Sequence, residues 1–273
     1  MSDAAIGIFD SGLGGLTAVK ELIKVLPHEN IIYFGDTARV PYGNRSRKTI
    51  VKYAEQDAYF LLSKGVKMII AACGTVSSVA VDLKDELPVP FTGVVVPTAR
   101  AAVRATKNGR IGVIGTSATV NSGSYKNEIL RADKELCVFQ QDCPLFVSLV
   151  ENGFISPEDD IVKLVVERYL EGLKYEGVDT LILGCTHFPI IGRAVSDYLG
   201  DEVTLIDSGR ETAIYAAELL KENGLLSDRS DQGVCRYYVS DTVEDFKKTA
   251  EIFLDKSVGN EVSHINLEQT VIH

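Results

Sequence analysis

Two stretches decide how this chain folds: Met68-Ile69-Ile70-Ala71-Ala72-Cys73-Gly74-Thr75 and Thr180-Leu181-Ile182-Leu183-Gly184-Cys185-Thr186-His187. In each, an apolar run of strand length ends in a cysteine. Small or hydroxyl-bearing residues follow, as at a turn into a helix. Runs that are apolar at every position, rather than at alternate ones, belong to strands covered on both faces, which is how parallel sheets are buried. A second pair repeats the relation: Ile6-Gly7-Ile8 matches Ile111-Gly112-Val113. The steps from 6 to 111 and from 73 to 185 are nearly equal, so the chain reads as a duplication.

The same alternation continues outward from these anchors. Ile6 to Phe9 ends in Asp10-Ser11-Gly12, and Leu16 to Leu26 then has helical periodicity. Ile31 to Phe34 ends in Gly35-Asp36, and Thr92 to Val96 ends at Pro97. In the second half Ile111 to Ile114 ends in Gly115-Thr116-Ser117, and Val203 to Ile206 ends in Asp207-Ser208-Gly209. A helix over 211–223, a strand over 235–239, a helix over 243–254 and a short strand near 262–267 complete the pattern. Strands alternating with helices give an α/β fold. The prediction is two similar parallel-sheet α/β domains related by a pseudo-two-fold axis, with the active site in the cleft between them. The first domain is discontinuous, 1–97 plus 209–273, and the second is 98–208.

Composition narrows the function. The 273 residues are 45% apolar and 24% charged, as in ordinary globular proteins. No apolar run is long enough to span a membrane, and no signal-peptide pattern opens the chain, so a cytoplasmic location is expected. The net charge of −10, without a basic stripe, argues against nucleic acid or an anionic membrane as partner. The five cysteines, Cys73, Cys137, Cys143, Cys185 and Cys235, are odd in number and widely spaced, which is not a disulfide framework. They have no C-x-x-C spacing, so no metal site is expected. Cys137, Cys143 and Cys235 are assigned to packing.

Ligands of open α/β sheets bind beyond the carboxyl ends of the strands. Cys73 and Cys185 both fall there. A single strand-end thiol is read as a core residue, but two thiols facing one cleft from related halves suit inversion of a stereocentre. One removes a proton from one face of a carbon and the other delivers a proton to the opposite face. A free thiol titrates near ~8.5, so nearby donors must poise it. Asp10 closes the first strand, where it serves either as a turn residue or as a polar group near Cys73. His187 stands two residues after Cys185, whereas His28, His264 and His273 lie in polar, loop or terminal contexts. Glu151 is a lone acid after an apolar stretch and by composition alone reads as a solvated helix residue. Ser11-Gly12-Leu13-Gly14-Gly15 offers backbone N–H groups to a carboxylate, but it has neither Rossmann nor P-loop spacing.

Taken together, Asp10-Ser11-Gly12-Leu13-Gly14-Gly15, Gly35-Asp36-Thr37-Ala38-Arg39 with Pro41-Tyr42-Gly43, Ala72-Cys73 with Thr75, and Leu183-Gly184-Cys185-Thr186-His187-Phe188-Pro189 resemble glutamate racemase, in the aspartate/glutamate racemase superfamily. The resemblance spans nearly the whole chain. It implies Cys73 and Cys185 as the acid/base pair, assisted by Asp10, His187 and Glu151. It implies substrate contacts from Asp10, Ser11, Tyr42, Gly43, Gly74, Thr75, Thr116, Thr119, Thr186 and His187. It further implies no pyridoxal phosphate, metal or nucleotide, a small-molecule substrate, a homodimer, and a role supplying D-glutamate for peptidoglycan. One departure stands out: the family usually has Asn where this chain has Gly74, so an expected amide contact is missing. Alternative readings are racemisation of another acidic amino acid such as aspartate, and a non-catalytic two-lobed amino-acid-binding protein.

Overall fold

The computed structural model describes residues 2–259 and 261–267. His273 and the 268–273 end of the expected first domain lie outside them. Within the described residues the first sheet is built from β1 (Ile6–Asp10), β2 (Ile31–Gly35), β3 (Met68–Ala71) and β4 (Phe91–Gly93). The second is built from β5 (Arg110–Gly115), β6 (Cys137–Asp142), β7 (Thr180–Leu183) and β8 (Thr204–Asp207). The chain then returns to the first sheet with β9 (Cys235–Val239) and β10 (Val262–His264).

The strand orders are β10-β9-β2-β1-β3-β4 and β6-β5-β7-β8, and every pairing is parallel. Without β9 and β10 the two orders are the same, with β1 matching β5, β2 matching β6, β3 matching β7 and β4 matching β8. The repeat seen in the sequence is therefore a repeat of topology. The fold is two parallel-sheet α/β domains, as the sequence predicts. β1, β2, β3 and β7 are buried at every residue, which is why they carry no polar alternation.

Two strand boundaries differ from expectation. The run Thr92–Val96 stops pairing at Gly93, and a helix over Val95–Ala105 has already begun. Ser77 Oγ accepts from Val94 N and turns the chain there. Pro97 then sits in the first helical turn, where a missing N–H costs no intrahelical bond. The last strand ends at His264 rather than near Leu267. The helix expected from residue 211 starts earlier, at Ser208, because the Asp207 carboxylate accepts from Gly209 N and Arg210 N and caps it.

Helix Ser208–Glu222 packs on both helix Leu16–Val25 and helix Val95–Ala105, joining the two halves. Gly209 allows this: a methyl there would stand 3.1 Å from Ala18 Cα. One apolar cluster runs from Ile6 and Ile8 through Phe146 and Phe188 to Leu181 and Leu183, so the two halves share a core. Each of these large side chains contributes about 1.5–3 kcal/mol by burial. Cys143 lies in this cluster and Cys235 packs against it. Cys137 does not follow the packing assignment: it opens the edge strand β6 and is exposed. No described helix is long and apolar enough to cross a membrane.

Candidate active site

The two cysteines occupy equivalent places. Ladder pairing continues one residue past β3 and one past β7, with Ala72 N donating to Phe9 O (2.9 Å) and Gly184 N donating to Ile114 O (2.8 Å). The next residue in each case is the cysteine. Cys73 caps the short helix Gly74–Val79. Cys185 leads through Thr186 and His187 into the turn Phe188–Ile191. Both thiols are almost wholly buried, at 5% and 7% exposed.

Their surroundings differ. Cys73 Sγ donates to Ser11 Oγ at 3.5 Å. Burial pushes its thiol up to about 12, and the charge of Asp10 adds to this; the hydrogen bonds that Ser11 and Val76 N can donate to the thiolate only partly offset it. Cys185 Sγ lies 3.9 Å from His187 Nδ1, and His187 Nε2 lies 3.0 Å from Glu151 Oε1. Burial alone would lower the imidazole, but the hydrogen bonds to Cys185 and Glu151 outweigh it and raise His187 to about 10. Both partners thus favour the protonated ring, which stands edge-on to Phe253 with centroids 5.4 Å apart. Glu151, at the end of helix Pro144–Glu151, is thus tied to Cys185 through the ring, rather than being only a solvated acid.

Asp10 is 1% exposed, and its Oδ2 accepts from Gly12 N at 3.1 Å. Among the described residues its Oδ1 has no hydrogen-bond partner. Burial raises its carboxyl, while the charge of His187 pulls the other way. Asp10 thus feels both ends of the site. The glycine loop that follows is shaped for close approach. A methyl at Gly14 would stand 2.1 Å from Thr186 Oγ1 and 2.6 Å from His187 Nδ1. Thr17 Oγ1 reaches across to Thr186 O at 3.1 Å.

On the Cys73 side, hydroxyls span the seam. Thr75 Oγ1 and Thr116 Oγ1 are 3.1 Å apart, and Thr116 Oγ1 and Thr119 Oγ1 are 3.0 Å apart. A methyl at Gly43 would stand 3.4 Å from Thr116 Cβ, so this loop borders the same place. Tyr42 is different. Its side chain is 1% exposed and its hydroxyl is engaged by Asp36 and Asp57, leaving its backbone beside the cleft. Gly74 does not face open space where an amide is lacking. A methyl there would stand 2.4 Å from the Gly184 carbonyl oxygen, so the Cys73 turn packs directly on the strand end before Cys185.

Asp36 and Arg39, which enter the sequence reading only as part of a motif, and Asp57, which does not enter it, lie together beneath Tyr42. Asp57 carried a signal: it falls on the buried stripe Ile50, Ala54, Ala58, Leu61 of helix Arg47–Ser63, and an acid on an apolar stripe needs partners. Tyr33, whose hydroxyl donates to Gly12 O at 2.8 Å, was read only as strand.

The fold and site point to one class. A model of the Asp/Glu/hydantoin racemase family matches residues 16–216, and the chain belongs to that family. It is 45% identical to a glutamate racemase of Geobacter metallireducens over 97% of both chains. It is also 45% identical to one of Chlorobaculum tepidum, over 97% of this chain and 96% of that one. Among solved structures, a glutamate racemase isoform of Bacillus anthracis superposes with a TM-score of 0.93 at 36% identity, covering 98% of this chain and 99% of the other. That of Francisella tularensis in complex with D-glutamate gives 0.90 at 39% identity, with the same coverage. These relatives are glutamate racemases, and the present chain is an isomerase of their kind.

Proposed function

We propose that this enzyme interconverts L- and D-glutamate without a cofactor, using Cys73 and Cys185 as two acid/base groups on opposite faces of Cα. The observation that carries the reading is the equivalence of the thiols: each follows the matching strand of two sheets with one strand order. In each direction a thiolate takes the Cα proton and becomes a thiol. The electron pair is delocalised into the substrate carboxylate, and the opposite S–H then delivers its proton to the other face. The family resemblance assigns Cys73 to D-glutamate and Cys185 to L-glutamate. Two-base chemistry requires one thiol and one thiolate at the start. Burial beside Asp10 favours Cys73 as the one that keeps its proton.

The other residues follow by chemistry. The unpartnered Asp10 Oδ1 suits the substrate ammonium. Ser11, Thr75, Thr116, Thr119 and Thr186, with backbone N–H groups of Tyr42, Gly43 and Gly74, suit its carboxylates. The protonated His187, held by Glu151, suits a group that supports Cys185 as its charge changes. We read the chain as domains 1–97 plus 209–273 and 98–208, supported by which strands enter which sheet. A homodimer, cytoplasmic location and supply of D-glutamate to peptidoglycan are the family-level parts of this proposal. The test is interconversion followed by chiral analysis with L-glutamate, D-glutamate and both aspartates. Fast turnover of both glutamate enantiomers, and little of aspartate, is expected. Faster turnover of aspartate would overturn the substrate assignment.

A further inference from the structure

The cluster beneath the Gly43 loop fixes its own proton count. Tyr42 Oη contacts Asp36 Oδ2 and also Asp57 Oδ2, the latter at 2.9 Å. A phenol has one proton to donate. If both acids were ionised, one of these contacts would set an oxygen lone pair against a carboxylate, and both carboxylate side chains are 0% exposed, so bulk solvent does not screen the repulsion. One acid must therefore carry a proton and donate it to Tyr42.

The remaining partners say which. Asp36 receives Arg39 Nε at 2.5 Å and Ser240 Oγ at 2.8 Å in addition to the Tyr42 hydroxyl. Three donors suit a carboxylate. Among the described residues, Asp57 has Arg39 Nη2 on Oδ1 at 3.0 Å and only the phenol on Oδ2. Arg39 is further fixed by Gln56 Oε1 and lies over the Tyr53 ring, 4.0 Å from its centroid. With Asp36 and Arg39 charged and Asp57 neutral, the buried cluster has no net charge, which avoids the cost of an unpaired buried ion.

We propose that Asp57 is a neutral carboxylic acid that donates to Tyr42 and acts as a positioning residue, fixing Tyr42-Gly43 against Thr116 at the substrate cleft. Burial, with the charge of Asp36 next in effect, holds its carboxyl well above the usual range. The loop links the cluster to the site: Gly43 lies against Thr116, and Asp36 N donates to Asp10 O at 3.0 Å. That this affects substrate rests on the function proposed above. The protonation itself does not.

Asp57→Asn is the discriminating variant, because an amide keeps one donor and one acceptor and stays neutral. Infrared spectra of the full chain with carboxyl-labelled aspartate, recorded without substrate, should show a protonated-carboxyl carbonyl band at neutral pH that D57N removes. D57N should keep KM for glutamate within about twofold, whereas Asp57→Ala, lacking the donor, should raise KM about tenfold with little change in kcat. Absence of the band, or D57N as harmful as D57A, overturns the proposal. If D57A does not fold, Tyr42→Phe replaces it, with the same rise in KM expected and an unchanged KM counting against the proposal. An enzyme that shows the band but does not turn over glutamate would sink the functional reading and leave the proton assignment standing.

Discussion

The Cys73 end and the Cys185 end of the cleft share strand order, ladder pairing and burial, yet their linings have little in common. Around Cys185 the polar groups are ionic, with His187 bridging the thiol and Glu151. Around Cys73 the side chains in hydrogen-bond contact are hydroxyls, Ser11 on the thiol and Thr75, Thr116 and Thr119 across the seam, with the Asp10 carboxyl acting on the thiol through its charge. The glycines differ in the same sense. Gly14 leaves room for the side chains of Thr186 and His187, whereas Gly74 leaves room for a main-chain carbonyl. Duplication supplied two matched places for a thiol, and their linings then diverged. A reversible two-base reaction does not itself require the difference, since each thiol begins as thiolate in one direction and as thiol in the other; the unlike linings must each support both states.

The sharpest way to break the comparison is to remove either thiol. Cys73→Ser and Cys185→Ser should each lower kcat in both directions by roughly 10²–10⁴-fold, the usual worth of a positioned acid or base. Full activity in either variant would show that the pair does not act as a pair. Next is Gly74→Ala. The added methyl must push the Cys73 turn off the Gly184 carbonyl, costing about 1–3 kcal/mol of stability, with a matching fall in kcat/KM. Urea unfolding and steady-state kinetics check both. Gly74→Asn should fare no better than alanine, whereas a KM below that of the native chain would restore the missing-amide reading.

A smaller effect is expected from Glu151→Gln, because the Glu151 side chain is 45% exposed and water compensates part of the loss. A drop in kcat of about three- to tenfold is expected, below the worth of a buried hydrogen bond to a charged group because solvent screens this one. The pH dependence sharpens the same contrast. His187 is raised from 6.5 to about 10 in the folded chain. The stability it contributes through Cys185 and Glu151 is thus fully present below 6.5 and lost as pH rises through about 10. The difference in unfolding midpoint between the native chain and His187→Asn should shrink over that window. A difference that widens with pH would contradict the ionic description of the Cys185 end.

How much of this was legible in the sequence follows from its physics. Strands buried on both faces announce themselves as unbroken apolar runs, so β1, β3, β5 and β7 and the thiols that end β3 and β7 could be read directly. The match between halves was visible because it lies in short, local strings. What Gly74 packs against was not readable, because the Gly184 carbonyl comes from a strand more than a hundred residues away. Tyr42 is expected among the substrate contacts, but nothing local to it shows that its hydroxyl belongs to Asp36 and Asp57, a cluster assembled from a loop and a helix. The resemblance named Glu151 only as an assistant, and its contact with His187 appears in the structure alone, since a lone acid at a helix end has no local mark of its partner.

The central claim is that two separate bases work on opposite faces of one carbon. It is tested most directly by incubating each glutamate enantiomer in heavy water and measuring deuterium at Cα in product and recovered substrate early in the reaction. The two-thiol arrangement predicts labelled product and largely unlabelled substrate in both directions. Equal labelling of the two pools from the start would contradict it, because a single base would then be exchanging the proton with both.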